Sequence, residues 1–125
     1  MKSLAKIRKR QSRCYELAAR AMLYEADSDQ WVLVYGSGVN PDHGTRLRHA
    51  WIELNDGRVY HADTDVYEPT DWFMTHYQVQ VDHRYSRAES CALMAATRNC
   101  GPWTDEERAA NKSAPHLGGS KGQNS

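Results

Sequence analysis

Apolar and polar positions alternate over two short stretches that flank a turn signal. Residues 48–54 (RHAWIEL) and residues 58–64 (RVYHADT) both alternate, and residues 55–57 (NDG) separate them. Alternation with a period of two is typical of half-buried strands, and a short loop that contains Gly is typical of a hairpin turn. The pattern therefore predicts a β-hairpin over residues 48–65.

The length of the turn decides which residues of the hairpin lie opposite one another. A three-residue loop with Gly57 in the left-handed conformation is a common hairpin turn, and we favour it. In that register three pairs share one face of the hairpin: His49 with Asp63, Trp51 with His61, and Glu53 with Val59. The other face suits a core, with Ala50, Ile52, Leu54, Tyr60 and Ala62. A two-residue turn would shift the register by one and point Asp63 away from His49.

Upstream of the hairpin, the pattern predicts one helix and one buried strand. Ser12 is suited to cap a helix over residues 13–26, in which Cys14 lies in the first turn. The continuous apolar run over residues 31–35 (WVLVY) predicts a central strand. The composition of residues 36–45 (GSGVNPDHGT) predicts a loop just before His49.

Downstream of the hairpin, the pattern predicts a further strand and helix. Residues 71–76 are expected to form a short helical turn, and residues 78–85 alternate like a strand. The sequence 86–89 (SRAE) matches a capping box, which predicts a helix over residues 87–98. The order helix, strand, hairpin, strand, helix indicates an α+β fold with a mainly antiparallel sheet.

Composition limits the class of protein. The chain has 125 residues, of which 40% are hydrophobic and 26% charged, and its formal net charge is +0. These values suit one globular domain, and they give no argument for a nucleic-acid or membrane partner. Residues 1–11 form a basic segment without the apolar run of a signal peptide, so we expect a cytoplasmic protein. Residues 112–125 have the composition of a disordered tail.

The cysteines do not suggest a disulfide framework. There are three of them, an odd number, and no CxxC motif is present. This count argues against both a set of disulfides and an ordinary zinc site, and we expect no cofactor.

Three residues together form a candidate catalytic site: Cys14, His49 and Asp63. A cysteine at a helix N-terminus is expected to favour the thiolate, because the helix dipole and the free N–H groups stabilise an anion there. A carboxylate opposite a histidine can accept one ring N–H and fix the tautomer. Nucleophile, base and orienting acid are the three roles of thiol acyl transfer, in which backbone N–H groups near Cys14 would hold the oxyanion.

The stretches CYELAARAML and RHAWIELNDGRVYHADTD resemble the core of the transglutaminase-like superfamily, a branch of the papain-like cysteine enzymes. Members carry a Cys at a helix start, a His-x-Trp-x-Glu-like strand and an Asp-x-Thr-like strand end. Here these elements start at Cys14, His49 and Asp63. Cys14-Tyr15-Glu16 is also similar to an element of the arylamine N-acetyltransferases. The resemblance covers residues 12–65.

The resemblance implies a single transglutaminase-like domain over residues 12–111, with the Cys14 helix packed on the sheet. It implies a thiol-dependent hydrolase or acyltransferase with a Cys14, His49, Asp63 triad and a peptide, protein or amide substrate. The sequence departs from the family where Ser12-Arg13 precede the Cys and where Thr64 directly follows Asp63. The chain is shorter than most of the acetyltransferases, so a coenzyme A site is not expected.

Two other functions fit parts of the sequence. A catalytically inactive member of the fold would act as an adaptor or binding module through the sheet and exposed aromatic side chains, among them Trp72, Tyr77 and Trp103. A metal site could be drawn from Cys14, His49, His61 and Asp63, although their spacing matches no ordinary zinc motif.

Overall fold

The computed structural model describes residues 14–25 and 28–104. An N-terminal helix packs on a five-stranded antiparallel sheet, which confirms the predicted α+β class. The elements in chain order are α1 (Cys14–Tyr24), a short 3-10 helix (Ser28–Gln30), β1 (Val32–Val39), β2 (Arg46–Glu53), β3 (Arg58–His61), β4 (Val66–Pro69), α2 (Thr70–His76), β5 (Gln80–Ser86) and α3 (Arg87–Thr97). Across the sheet the strands follow the order β4-β3-β2-β1-β5.

Three sequence-based predictions fall outside the described residues. They are the basic segment 1–11, the Ser12 cap of the first helix, and the disordered tail 112–125. They stay predictions.

The β2–β3 turn has the three-residue form that the sequence predicts. Gly57 adopts a left-handed φ of 83°, and Leu54 N–H donates to the carbonyl of Arg58 at 2.9 Å. The paired residues are Ile52 with Tyr60 and Glu53 with Val59. The predicted register of the hairpin is therefore confirmed where β2 and β3 pair.

The predicted loop over residues 36–45 is too long. β1 continues to Val39, and Gly36 pairs with His49 on β2 and with Val81 on β5. A Cβ at Gly36 would lie 2.2 Å from the carbonyl oxygen of Gln80 and 2.9 Å from the ring of Trp51. The glycine that resembled a loop residue is thus required by close packing inside a central strand.

β4 was missed at the sequence level because it ends at a proline. Glu68-Pro69-Thr70 looked like a chain break, yet Val66–Pro69 pairs with β3. β4 lies at the edge of the sheet, where a proline is tolerated because its outer side needs no N–H donor. This strand brings Glu68 beside the hairpin.

Both faces of the sheet are covered. On the side here called the helical face, α1 and α3 pack on Leu33, Tyr35, Ala50, Ile52 and Tyr85. On the side here called the cavity face, Phe73 of α2 packs on Val34, Trp51 and Val59. Residues of β2 alternate between the two faces, so His49 and Trp51 lie on the cavity face while Ala50 and Ile52 lie on the helical face.

The predicted capping box is present at the start of α3. Ser86 and Glu89 exchange side-chain to backbone hydrogen bonds. Arg87 then donates to the carbonyl oxygens of Met22 and Leu23 in the last turn of α1, which ties the two helices together. Among the described helices, none is long and apolar enough to cross a lipid bilayer.

Of the three aromatic residues expected to be exposed, Trp72 alone is. Trp103 is 8% exposed and packs in the core against Tyr35 and Tyr85, and Tyr77 is half-buried. Trp103 was misjudged because its ring is brought to the core by the chain after α3, which has no periodic pattern.

We expect Gly36→Ala to destabilise the fold by about 1–3 kcal/mol, because the added methyl group clashes with backbone and with a buried ring. Gly57→Ala is the matched control. Nothing lies within 4 Å of its Cβ position, so it carries only the cost of a positive φ, about 1 kcal/mol. Urea unfolding of both variants measures the difference. Equal losses would show that strand packing does not require Gly36.

Candidate active site

The thiol of Cys14 lies at the point where β3 stops pairing with β2. Because Leu54 N–H points to β3, the backbone groups of Ile52 and Ala50 point the same way. In this register Ala50 would face position 62, but β3 ends at His61 and the chain turns away. The Ala50 N–H instead donates to the Cys14 sulfur. The first residue of α1 thus sits at an open edge of the central strand.

Arg48 helps to hold the start of α1 in this position. Its guanidinium donates to the carboxylate of Asp82 on β5, and it lies close enough to the Tyr15 hydroxyl, on the residue after Cys14, to interact with it electrostatically. Tyr15 packs edge-on against Tyr35 with ring centroids 4.6 Å apart. The helix start is therefore fixed to three strands of the sheet.

The Cys14 thiol is protonated in the resting protein, contrary to the expectation of a stabilised thiolate. Burial raises its pKa to about 12, with a further contribution from the negative charge of Asp63. Backbone N–H groups of Ala50, Tyr15 and Cys14 itself lower the pKa, but burial outweighs them. The sequence indicated the helix N-terminus correctly, but it gave no measure of how deeply the sulfur is buried.

Asp63 lies in the turn between β3 and β4, not on a strand. β3 ends at His61, so the predicted cross-strand pair of His49 and Asp63 is not part of the β2–β3 ladder. The Asp63 side chain is nevertheless 4% exposed and close enough to Cys14 to raise its pKa. The structure thus brings Asp63 near enough to Cys14 for its charge to act on the thiol.

His49 belongs to a chain of three polar side chains that spans three strands. Its Nε2 lies 2.9 Å from Nδ1 of His61, and Nε2 of His61 lies 2.7 Å from Oε1 of Glu68. His49 is 3% exposed and His61 is 7% exposed. Burial lowers the pKa of His61, and Glu68 only partly offsets this. His61 is therefore mainly neutral near pH 7.

A cavity of about 380 Å³ opens beside this chain on the cavity face. His49, His61, Asp63 and Glu68 line one side of it. The other lining residues come from the β1–β2 loop, the β3–β4 turn and α2: Asn40, Pro41, Asp42, Thr64, Val66, Phe73 and Tyr77. The described lining does not include Cys14, whose side chain is 1% exposed.

Glu68 is the site residue that the sequence analysis missed, and His61 was considered only as a possible metal ligand. The four-residue turn, Ala62 to Asp65, pairs Val66 with His61 and Glu68 with Val59, so Glu68 shares the face of His61. The short β4 strand shows no alternating pattern that would have indicated this. The proline at position 69 hid this strand and with it the acid.

Within the described residues, no set of side chains supports the alternative hypothesis of a metal site. No three His, Cys, Asp or Glu side chains within residues 14–25 and 28–104 are arranged to hold a metal ion. His49, His61 and Glu68 follow one another in a line, whereas metal ligands converge on one point.

No protein-family model, curated protein or solved structure matches this chain.

The raised thiol pKa predicts a pH dependence of stability. In the unfolded chain the thiol ionises near its ordinary pKa of 9.0, and in the folded chain near 12. Between these values the folded state holds a proton that the unfolded state has released, so stability falls as pH rises. From about pH 8 to about pH 10.5 we expect a loss of roughly 1–2 kcal/mol from this group.

Cys14→Ala should lack this part of the pH dependence, and Cys91→Ala should retain it. Urea unfolding at both pH values measures the slope for each variant, which separates the titration from any packing loss at one pH. If wild type and Cys14→Ala lose stability in parallel, the Cys14 thiol is not perturbed.

Proposed function

We propose that this protein is a small thiol-dependent hydrolase or acyltransferase that forms an acyl-enzyme thioester on Cys14. His49 is the base, and Asp63 is the acid of a Cys14, His49, Asp63 triad. The substrate is a peptide, protein or other amide. The observation that carries the proposal is the Ala50 N–H bonded to the Cys14 sulfur, which places the thiol against the strand position next to His49.

The reaction starts with the removal of a proton from a neutral thiol. Because the pKa of Cys14 is about 12, a thiolate is scarce before substrate binds. His49 takes the proton as the sulfur attacks the substrate carbonyl, so a carbon–sulfur bond forms while a negative oxygen develops. The three backbone N–H groups around the sulfur stabilise the developing anion.

The leaving group departs with the proton from His49. The carbon–nitrogen bond breaks as the nitrogen takes this proton, a neutral amine leaves, and the acyl group stays on Cys14 as a thioester. Water then attacks the thioester with His49 again as base, which gives hydrolysis; an amine in place of water gives acyl transfer. The cavity lined by His49 and Asp63 is the route by which acyl donor and acceptor enter.

Asp63 acts through its charge. A buried carboxylate beside the thiol disfavours the thiolate when it stands alone, as the raised pKa of Cys14 reflects. The same charge stabilises the imidazolium that forms once the proton has moved to His49. Asp63 therefore couples deprotonation of Cys14 to protonation of His49.

The transglutaminase-like, papain-like fold is part of the proposal. The α1 helix starts at the cysteine, packs on an antiparallel sheet, and is followed by the histidine on β2. These features support the resemblance carried by the sequence, and they agree in order with its three site residues.

A binding module without activity is the second candidate. It is favoured by the depth of Cys14 and by its pKa of about 12. Three exposed apolar side chains, Val66, Tyr67 and Trp72, lie on β4 and α2, the elements that flank the cavity. Such a module would use the cavity for binding alone.

Acylation of Cys14 tests the enzymatic proposal without knowledge of the substrate. Incubation with a thioester and with an activated aryl ester, followed by intact and peptide mass spectrometry, should give an acyl adduct on Cys14. Cys14→Ser should abolish this adduct. His49→Ala should slow its formation about 10²-fold or more, because the general base is lost.

Two variants serve as matched controls. His43 is exposed in the β1–β2 loop, so His43→Ala should leave the acylation rate unchanged. Cys91 is a half-buried cysteine on α3, and Cys91→Ser should leave the Cys14 adduct intact. Acylation that favours Cys91 or Cys100, or that is insensitive to His49→Ala, would favour the binding module.

A further inference from the structure

The buried polar chain from His49 through His61 to Glu68 has a definite direction. A carboxylate offers only acceptor oxygens, so the Glu68 carboxylate must receive a proton from Nε2 of His61. A neutral imidazole carries one proton, so Nδ1 of His61 is then a bare acceptor. Because this nitrogen lies 2.9 Å from Nε2 of His49, the hydrogen between them belongs to His49.

We propose that His61, anchored by Glu68, is the positioning residue of His49: it fixes the His49 tautomer with the proton on Nε2 and leaves Nδ1 as the catalytic base. This inference rests on the proposed function, since it deepens the role of His49 in the thiol reaction. It assigns to a histidine and a glutamate on β3 and β4 the orienting role that the sequence gave to Asp63.

The two ring nitrogens of His49 have different functions in this proposal, and this separates the role of His61 from the role of Asp63. Nε2 of His49 is taken by His61, so the tautomer is already fixed without Asp63. In the proposed reaction, Nδ1 is then the nitrogen that accepts the proton of Cys14. Asp63 acts on the thiol by charge, while His61 acts on the base by hydrogen bonding.

The chain also accommodates the charge that the reaction creates. When Nδ1 of His49 takes the thiol proton, Nε2–H continues to donate to His61, so no hydrogen bond is broken. The Glu68 carboxylate lies at the far end of the chain, with the His61 ring between it and the positive charge on His49. The site is buried, so the attraction between these opposite charges is strong. No proton needs to pass along the chain.

Aromatic packing holds the two rings in place. His49 stacks on Trp51 with ring centroids 5.8 Å apart. The ring centroids of His61 and Phe73 are 4.8 Å apart. Trp51 and Phe73 are fully buried and contact each other. A base held by packed rings and one directed hydrogen bond needs little reorganisation before it reacts.

The tautomer of His49 can be measured directly. In protein labelled with ¹⁵N-histidine, protonated and bare ring nitrogens have well-separated shifts, and single substitutions assign the six histidines. At about pH 8 we expect His49 with a proton on Nε2 and a bare Nδ1. A proton on Nδ1 of His49 in the wild-type protein would overturn the proposal.

Two variants of His61 separate positioning from packing. His61→Phe keeps a ring beside Phe73 but removes the acceptor, so we expect a mixture of His49 tautomers. His61→Asn restores an acceptor oxygen near the place of Nδ1, so we expect the Nε2–H tautomer to return. If His61→Phe leaves the tautomer pure, the proposal fails.

Glu68→Ala is the further variant if His61→Phe does not fold. The Glu68 side chain is 18% exposed at the edge strand, so its truncation removes little packing. Without the carboxylate, His61 is free to carry its proton on either nitrogen, and we expect mixed tautomers at both His61 and His49. Pure wild-type tautomers in this variant would also overturn the proposal.

An activity measurement completes the test. With an acyl donor that modifies Cys14, His61→Phe should lower the acylation rate about 10–10²-fold, and His61→Asn should recover much of it. The two proposals fail separately. A correct tautomer with no acylation of Cys14 contradicts the enzyme and leaves the His61 assignment in place, whereas acylation with the wrong tautomer contradicts His61 alone.

Discussion

The register between β2 and β3 is the constraint on which the site depends. The left-handed Gly57 closes a three-residue turn, and this pairs Glu53 with Val59 and Ile52 with Tyr60. A slip by one residue would exchange the faces of β3 and turn His61 away from His49. It would also turn His61 toward the core of the helical face and remove Val59 from the core of the cavity face. One turn therefore fixes both the packing of the sheet and the positions of the candidate site residues.

The early end of β3 is the second constraint, and it makes room for the thiol. Had β3 continued past His61, its backbone would face Ala50 and there would be no open edge on β2. The chain instead turns at Ala62, and Cys14 receives the Ala50 N–H. A backbone donor that a ladder would use is thus available to a reactive atom, without the cost of an unsatisfied buried group.

The sequence predicts the local elements better than the site. Gly57, Ser86 and Glu89 carry strong local signals, so the hairpin turn and the α3 cap follow from short motifs. Gly36 and Pro69 mislead, because a glycine required by close packing and a proline at a sheet edge look like loop residues. Because β4 was not predicted, Glu68 was not recognised as the hydrogen-bond partner of His61. The depth of Cys14 depends on the whole core, which no motif encodes.

A buried neutral thiol changes what the base must do. In a site with a preformed ion pair, the histidine stores the proton before substrate arrives. Here burial and Asp63 hold the proton on Cys14, so in the proposed reaction the proton is transferred as the sulfur attacks the carbonyl. Such coupling requires that the accepting nitrogen be bare and correctly aimed at that moment. The tautomer that we propose, fixed through His61 and Glu68, would meet this requirement, because it keeps Nδ1 of His49 unprotonated without placing a charge on the His49 ring in the resting protein.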